Sequence, residues 1–351
     1  MRGVTHYFLA AALVSLIPFV MQLSVYEKAF IIVVGAVAGI LPDFIDFKIV
    51  RLLWPIDEEI IPEWPIPDTK AIAKRIADII DRAWNEKRTI TIQIHTIKTG
   101  PNTWRRWYIH LDPDKKKVSV IIGPIQTFGG RLFMSTVEEI LSEKRMGEAY
   151  FSAPLKYDYK NRTIEVSILA GPTIAFKPSK DHVEVVFLPW HRYMSHSFIL
   201  MFLLASVVFL SIWGMGFSLF ASALYSAAFM VGYASHILSD HLGHMGSNLF
   251  WPITKSRTPG LKLTESADPY SNFAVFWLSI TTLFWQMNAY VPEPIVFPWT
   301  LKLGAIAISV FYVVIIMILP TLLILILRHK YWRPSSDPYL ENLLREELLQ
   351  I

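Results

Sequence analysis

The sequence contains no cysteine. This absence excludes disulfide bonds and thiolate metal sites, so histidine and oxygen ligands would have to bind any metal ion. Charge is also unevenly spread, because 18% of the 351 residues are charged whereas 53% are hydrophobic. Several long segments carry no charged side chain, and the mean hydropathy is positive. These features together indicate a membrane protein.

Long uncharged runs predict six membrane-spanning helices, since a span needs about 20 apolar residues. The predicted spans lie at residues 7–24, 29–41, 273–290 and 301–327, with two more inside the uncharged run 197–235. The segment 29–41 is short for a span. The sequence therefore predicts an α-helical integral membrane protein, with about six transmembrane helices and an inserted soluble α+β domain.

The inserted domain is predicted at residues 48–189, between spans 1–2 (residues 1–47) and spans 3–6 (residues 190–330), with a tail at 331–351. Apolar residues between 72 and 84 recur at helical spacing, with Asp68 or Thr69 as the cap. 

Apolar and polar residues alternate over the segment 89–97, which is typical of a half-buried strand. Ser135 and Glu138 fit a capping box that would begin a second helix. Two helices on a mostly antiparallel sheet are expected.

The distribution of basic residues predicts the orientation of the chain. With six spans, both termini and the segments 42–196 and 237–272 share one side, and only Lys28 and Lys302 of the 33 Lys and Arg residues fall on the other. Because Lys and Arg favour the cytoplasmic side, a multi-pass inner-membrane protein with a cytoplasmic inserted domain is expected.

Four groups of ionisable residues stand where apolar segments meet this side. They are His6; Asp43 and Asp46; His191, Arg192 and His196; and His236, Asp240, His241 and His244. His236 and Asp240 share one helix face, and His244 follows one turn later if the helix continues through Gly243. Ionisable groups at membrane depth are costly and usually functional. Imidazoles and carboxylates without thiols favour zinc first, then manganese or iron, and this many ligands suits two or more ions.

The motifs that carry these residues resemble those of the membrane-bound metal-dependent hydrolases of bacteria and archaea. That group includes LexA-regulated, inner-membrane-associated hydrolases. The matches are T-H at Thr5, G-x-L-P-D-x-x-D at Gly39, H-R-x-x-x-H-S at His191, G-x-x-x-H-x-x-x-D at Gly232, and then Gly246 and Pro252. The order of ligands is more distantly similar to zinc-dependent phospholipase C and related single-strand nucleases.

This chain departs from the family pattern at two points. The family has P-D-x-D where this chain has P-D-F-I-D, which leaves open whether Asp43 or Asp46 is the ligand. Ser195 stands where the family has threonine. The resemblance covers the six predicted spans and does not cover the insertion.

The predicted function is a membrane-embedded, metal-dependent hydrolase. Metal-activated water would cleave a phosphoester of a lipid or lipid-linked substrate at the cytoplasmic face. Arg192 is expected to hold phosphate and His241 to transfer protons. The predicted metal ligands are His6, Asp43, Asp46, His191, His196, His236 and Asp240, with His244 in reserve.

Other functions are compatible with the same residues. A metal or proton transporter would also place His and Asp in spans, but near the midplane instead of at one edge. A membrane-anchored protein with a structural metal would need a saturated site. A nuclease is the weakest alternative, because a basic run such as Lys115–Lys117 is more often a solvated turn. No nucleic-acid partner is expected, and the sequence does not predict an oligomeric state.

Overall fold

The protein is described by a computed structural model over residues 3–63, 67–127, 132–133, 146–157, 163–166, 171–264, 268–288 and 310–331. The chain divides into two compact units, one comprising Met1–Leu52 with His191–Ile351 and the other Leu53–Trp190. The helices are α1 (Gly3–Ser15), α2 (Pro18–Met21), α3 (Val25–Ala38), α4 (Leu41–Ile45), α5 (Arg51–Leu53), α6 (Thr69–Asn85), α7 (Phe198–Gly214), α8 (Leu219–His241), α9 (Pro269–Asn288) and α10 (Leu319–Tyr331). Two π-helical segments occur within the described ranges, at Asp46–Val50 and Tyr312–Ile318.

The prediction of a six-helix integral membrane protein is wrong. Within the described residues, one helix is long and apolar enough to cross a membrane, Tyr312–Tyr331. A second is added only if Tyr26–Ala38 and Leu41–Leu53, which are bent by 47°, count as one span. Substantial β-structure accompanies these helices, in two sheets.

Specific interruptions explain why the uncharged runs are not six spans. The run at 7–24 breaks at Pro18, which leaves α1 with 13 residues, about 20 Å of helix. Helix α7 is also short, with 17 residues. In α8, serines as well as His236 and Asp240 are buried among the apolar side chains.

Small residues let three helices of the first unit approach closely. A Cβ atom placed on Gly232 of α8 would lie 2.0 Å from the carbonyl oxygen of Gly35 in α3. A Cβ on Gly39 would lie 2.4 Å from the Cβ of Ala10 in α1. Both glycines are therefore required by the close approach of neighbouring atoms, which packs α1, α3 and α8 against one another.

Larger apolar side chains fill the spaces around this contact. One buried cluster joins the end of α3 to α7 and α8, and a second joins α1, α2, α3 and the first half of α8. Their buried members are Ala38, Met201, Ala205, Phe229, Tyr233 and Ile237, and Val14, Val20, Ile31, Leu224 and Ala228.

The second unit contains eleven strands among its described residues. They are β1 (Glu58–Ile60), β2 (Ile90–Ile94), β3 (Ile97–Gly100), β4 (Thr103–Asp112), β5 (Lys117–Thr127), β6 (Leu132–Phe133), β7 (Met146–Tyr150), β8 (Leu155–Lys156), β9 (Thr163–Val166), β10 (Thr173–Pro178) and β11 (Val183–Phe187). They form two sheets where one was predicted. The first has the order β1-β2-β10-β11-β8, and the second has β3-β4-β5-β6 with β7 on β5 and β9 on β4. The pairs β1–β2 and β8–β11 are parallel, and the others are antiparallel.

Helix α6 lies where the apolar periodicity predicts it. The carboxylate of Asp68 accepts a hydrogen bond from the Ala71 amide at 2.9 Å, so Asp68 is the N-cap. The apolar face of the helix, including Ile76 and Ile80, is buried in the same core as Ile92 of β2. The helix predicted at Ser135 and Glu138 lies outside the described residues.

We predict that Gly232→Ala destabilises the protein, because its new methyl group would overlap the Gly35 carbonyl. Overpacking of this kind costs about 1–3 kcal/mol. Gly214→Ala is the control, since no atom lies within 4 Å of its Cβ position. Thermal unfolding of both variants in detergent is the measurement. Equal melting temperatures for Gly232→Ala and wild type would contradict the close helix contact.

Candidate metal centre

Four segments of the first unit bring His and Asp side chains together. Asp43 lies in α4, His196 in the connection before α7, and His236 and Asp240 in the last turns of α8. One donor atom from each of these four residues lies within 4.8 Å of the other three, so the group could hold a metal ion. We call this group the four-residue site.

The spacing of the donor atoms suits a tetrahedral ion. His196 Nε2 and His236 Nε2 are 3.1 Å apart, and Asp43 Oδ1 lies 3.9 Å from His196 Nε2 and 3.4 Å from His236 Nε2. Asp240 Oδ2 lies 3.4 Å from His196 Nε2 and 3.6 Å from His236 Nε2. Ligands about 2.0–2.1 Å from zinc are separated by about 3.3–3.4 Å in a tetrahedron. Asp43 Oδ1 is also buried without a hydrogen-bond partner, as expected of an atom that ligates an ion.

Neighbouring groups set the tautomers of both imidazoles. His236 Nδ1 lies 2.7 Å from the Gly39 carbonyl, which only accepts, so Nδ1 carries the proton and Nε2 the lone pair. Ser195 Oγ donates to Asp46 Oδ1 at 2.5 Å and must therefore accept at its 2.9 Å contact with His196 Nδ1. The Nε2 atoms of both rings thus present lone pairs to the site, as metal-binding histidines do.

Asp46 lies beside the four-residue site and does not contribute a donor atom to it. Its buried carboxylate accepts from Ser195 Oγ, from the Arg192 amide at 2.8 Å and from His191 Nδ1 at 2.9 Å. His191 Nδ1 lies farther from Asp43, at 4.0 Å. The geometry therefore places Asp43 in the donor set and gives Asp46 and His191 supporting positions beside it.

Arg192 is buried with its guanidinium on a carboxylate of the site. Nη2 lies 2.9 Å from Asp240 Oδ2 and Nη1 donates to the Asp240 carbonyl at 3.0 Å. Its backbone has a φ of +58°, which side-chain-bearing residues adopt rarely. The Asn248 amide, which donates to the Arg192 carbonyl at 3.0 Å, helps to stabilise this conformation. The predicted phosphate-holding role of Arg192 stays a prediction; the contact observed is with Asp240.

His6 reaches the other side of Asp240 from α1. Its ring is fully buried and stacks on His236 with centroids 3.9 Å apart. His6 Nε2 lies 3.2 Å from Asp240 Oδ1, and Nδ1 lies 3.1 Å from Ser239 Oγ. His6 is thus next to the four-residue site without belonging to it.

Two predicted residues lie apart from the donor set. Helix α8 ends at His241, so His244 does not follow on the same helix face and its side chain is exposed. His241 is half-buried, and its Nδ1 atom has no hydrogen-bond partner. Its predicted role as a proton shuttle stays a prediction.

Sequence reasoning missed three supporting groups: Ser195, Ser239 and the Gly39 carbonyl. Ser195 and Ser239 each stand one residue before a predicted ligand, and Ser195 also stands where the family motif has threonine, but neither was assigned a role. A backbone carbonyl such as that of Gly39 leaves no signal in side-chain chemistry.

Burial and neighbouring charges shift the pKa values of His6, His191 and His196 in different directions. Burial, with His236 beside it, lowers the pKa of His6 to about 4. Burial also lowers the pKa of His191, despite its hydrogen bond to Asp46. For His196, burial is outweighed by contacts with Asp240 and Asp46, which raise its pKa. A divalent cation would replace that proton between His196 and Asp240, and metal binding would release it.

Comparison with known proteins gives one family. Residues 159–330 match the model of the YdjM inner membrane protein family. The matched range, just under half of the chain, contains His191, His196, His236 and Asp240 but neither His6 nor the two aspartates of α4 and its π-helical extension. The match supports association with a membrane. No curated protein and no solved structure matches the chain, and the resemblance to metal-dependent hydrolases and to zinc-dependent phospholipase C stays a prediction.

We predict that His236→Ala removes tightly bound metal, because it deletes one of four donors and the bond to Gly39. His244→Ala is the matched control, since this exposed histidine lies outside the donor set, and it should keep the wild-type metal content. Elemental analysis of protein purified without chelator is the measurement. Loss of metal in His244→Ala, or its retention in His236→Ala, would contradict the assignment.

Proposed function

We propose that this protein is a metal-dependent hydrolase that cleaves a phosphoester at a membrane surface. The observation that carries the proposal is the buried four-residue site with one accessible side. The side chains of His196, His236 and Asp240 are 0–2% exposed, whereas that of Asp43 is 25% exposed. Solvent and substrate would therefore reach the centre past Asp43.

The side chains present fit a divalent ion, with zinc preferred because two imidazoles and two carboxylates form the donor set. Such an ion supplies a Lewis acid that activates water at neutral pH and neutralises charge on phosphoryl oxygens. Arg192 holds Asp240 in place through one contact with its carboxylate and one hydrogen bond to its backbone carbonyl. Asp46 orients His196 through Ser195. These outer contacts fix the donors before substrate arrives.

A loop beside the centre supports a lipid or lipid-linked substrate. Residues 242–264 contain no acidic residue, and Ile253 and Phe250 are 79% and 50% exposed. Lys255 is exposed nearby, and Arg257 donates to the His191 carbonyl at 2.6 Å. Exposed apolar side chains with adjacent cations are typical of surfaces that contact anionic lipid.

We predict that metal-loaded wild-type protein hydrolyses one or more members of a phospholipid panel and that Asp43→Asn removes this hydrolysis. The amide would be a much poorer ligand than the carboxylate. Asp181→Asn is the matched control, because the Asp181 side chain is 83% exposed in the other unit. Phosphate or headgroup release is measured, with metal content determined on the same samples. A wild type that holds metal but cleaves no phosphoester, and instead moves zinc or protons across proteoliposomes, would replace this proposal with a transporter.

We further propose that the chain resides in the inner membrane with the metal centre on the cytoplasmic side. The candidate span Tyr312–Tyr331 ends with Arg328, His329 and Lys330, and basic residues favour the cytoplasmic end of a span. The loop 242–264 is basic as well.

Because the chain has no cysteine, single cysteines give a clean test of this orientation. We expect Ser256→Cys and Lys115→Cys, both at exposed positions, to resist an impermeant thiol reagent in intact cells and to react after permeabilisation. Labelling of both in intact cells would place the centre on the outer side.

A further inference from the structure

The loop 242–264 exposes large apolar side chains in two places. Phe250 and Ile253 are 50% and 79% exposed, and Leu261 and Leu263 are 58% and 60% exposed. A single apolar residue at a surface is common, but several on one short segment indicate contact with a partner or a membrane. The loop is therefore a candidate docking surface.

Hydrogen bonds hold the backbone of this loop against the segments that carry the metal centre. The Leu261 amide donates to the carbonyl of His241, at the end of α8, at 2.9 Å. Ser197, the N-cap of α7, donates from its hydroxyl to the Trp251 carbonyl at 2.8 Å. The exposed side chains thus project from a loop that is tied to two helix ends, and folding them inward would break these bonds.

The loop also contacts the end of the candidate span Tyr312–Tyr331. Arg328, in the last turn of that helix, donates from Nη2 to the Leu263 carbonyl at 3.1 Å. Its Nε atom donates to the buried carboxylate of Asp268 at 2.5 Å. Basic side chains near the ends of membrane helices extend to the lipid headgroups. With Tyr312–Tyr331 across a membrane, the contact with Arg328 places Leu263 at headgroup depth.

Charge favours an anionic membrane over a second copy of the chain. Lys255 and Lys262 are exposed, Arg257 is half-buried, and the loop has no acidic residue. Anionic headgroups attract such a group of cations. A second copy packed symmetrically on the same surface would instead bring like charges together.

We propose that the loop 242–264 docks on an anionic bilayer and inserts its exposed apolar side chains at the boundary between headgroups and acyl chains. Apolar side chains beside cations bind membrane surfaces in this way. Docking would bring the end of α8, which carries His236 and Asp240, to the headgroup region. The consequence for substrate rests on the proposed function: the metal centre would meet phosphoesters of the bilayer in preference to soluble ones.

Spin labels on single cysteines measure the depth of the loop, because the chain has no cysteine of its own. Full-length protein is labelled at Ile253→Cys or Leu263→Cys. Asp181→Cys is the aqueous reference, since the Asp181 side chain is 83% exposed. Each protein is placed in nanodiscs of phosphatidylglycerol with phosphatidylcholine, or of phosphatidylcholine alone. Electron paramagnetic resonance compares relaxation by oxygen, which concentrates in lipid, with relaxation by a water-soluble nickel chelate.

In the anionic nanodiscs, we expect the labels at positions 253 and 263 to be relaxed mainly by oxygen. Their access to the nickel chelate should be several-fold lower than at position 181. Replacing Lys255 and Lys262 by glutamine should reduce this protection, and so should phosphatidylcholine alone. Both changes weaken the attraction between the loop and the headgroups.

Three results would contradict the proposal. Equal access of the nickel chelate to positions 253 and 181 in anionic nanodiscs would overturn the docking. Shielding from both reagents, with dipolar broadening between labels, would assign the surface to a second copy. Protection that is the same in both lipid mixtures and in the lysine variant would overturn the preference for anionic lipid.

The depth measurement is independent of the proposed function, because it involves no turnover. A metal-loaded protein that cleaves no phosphoester would overturn the hydrolase and leave a docked loop in place. An active hydrolase whose loop stays in water would overturn the docking alone.

Discussion

The buried carboxylate of Asp46 joins two segments separated by nearly 150 positions in sequence. It accepts hydrogen bonds from His191, the Arg192 amide and Ser195, and it lies before the 53–190 unit whereas they follow it. An ionised carboxylate without exposure is stable only when its oxygens are satisfied in this way. The rest of the centre depends on this contact, because it positions the segment that carries His196 and Arg192.

The choice between Asp43 and Asp46 shows what the sequence leaves undecided. Residues three apart in a helix share a face, so either aspartate was a reasonable ligand. The structure separates them by their surroundings. Asp46 is buried among donors that consume both of its oxygens, whereas Asp43 Oδ1 has no hydrogen-bond partner and faces two imidazoles.

Sequence patterns among adjacent residues predicted helix α6 correctly. The wrong predictions concern helix breaks, buried polar side chains and contacts between residues far apart in the sequence. The periodicity of α6 and a cap at Asp68 or Thr69 are properties of adjacent residues; the helix is confirmed, and the cap is Asp68. The six spans were inferred from missing charge, which does not register the break at Pro18 or the polar side chains buried in α8. His244 was predicted to continue a helix that ends at His241. The Arg192–Asp240 contact joins residues 48 positions apart, and no spacing rule would have revealed it.

The hydrogen bond from His236 to Gly39 links ligand chemistry to the stability of a helix end. Gly39 is the C-cap of α3, and its carbonyl holds the imidazole in the tautomer that can bind metal. Helix ends fray more readily than helix interiors. Opening of this end would release His236 from its orientation and would make an ion bound at the proposed centre exchangeable. The exchange rate of such an ion would then depend on the backbone dynamics of α3 as well as on the strength of the metal–ligand bonds.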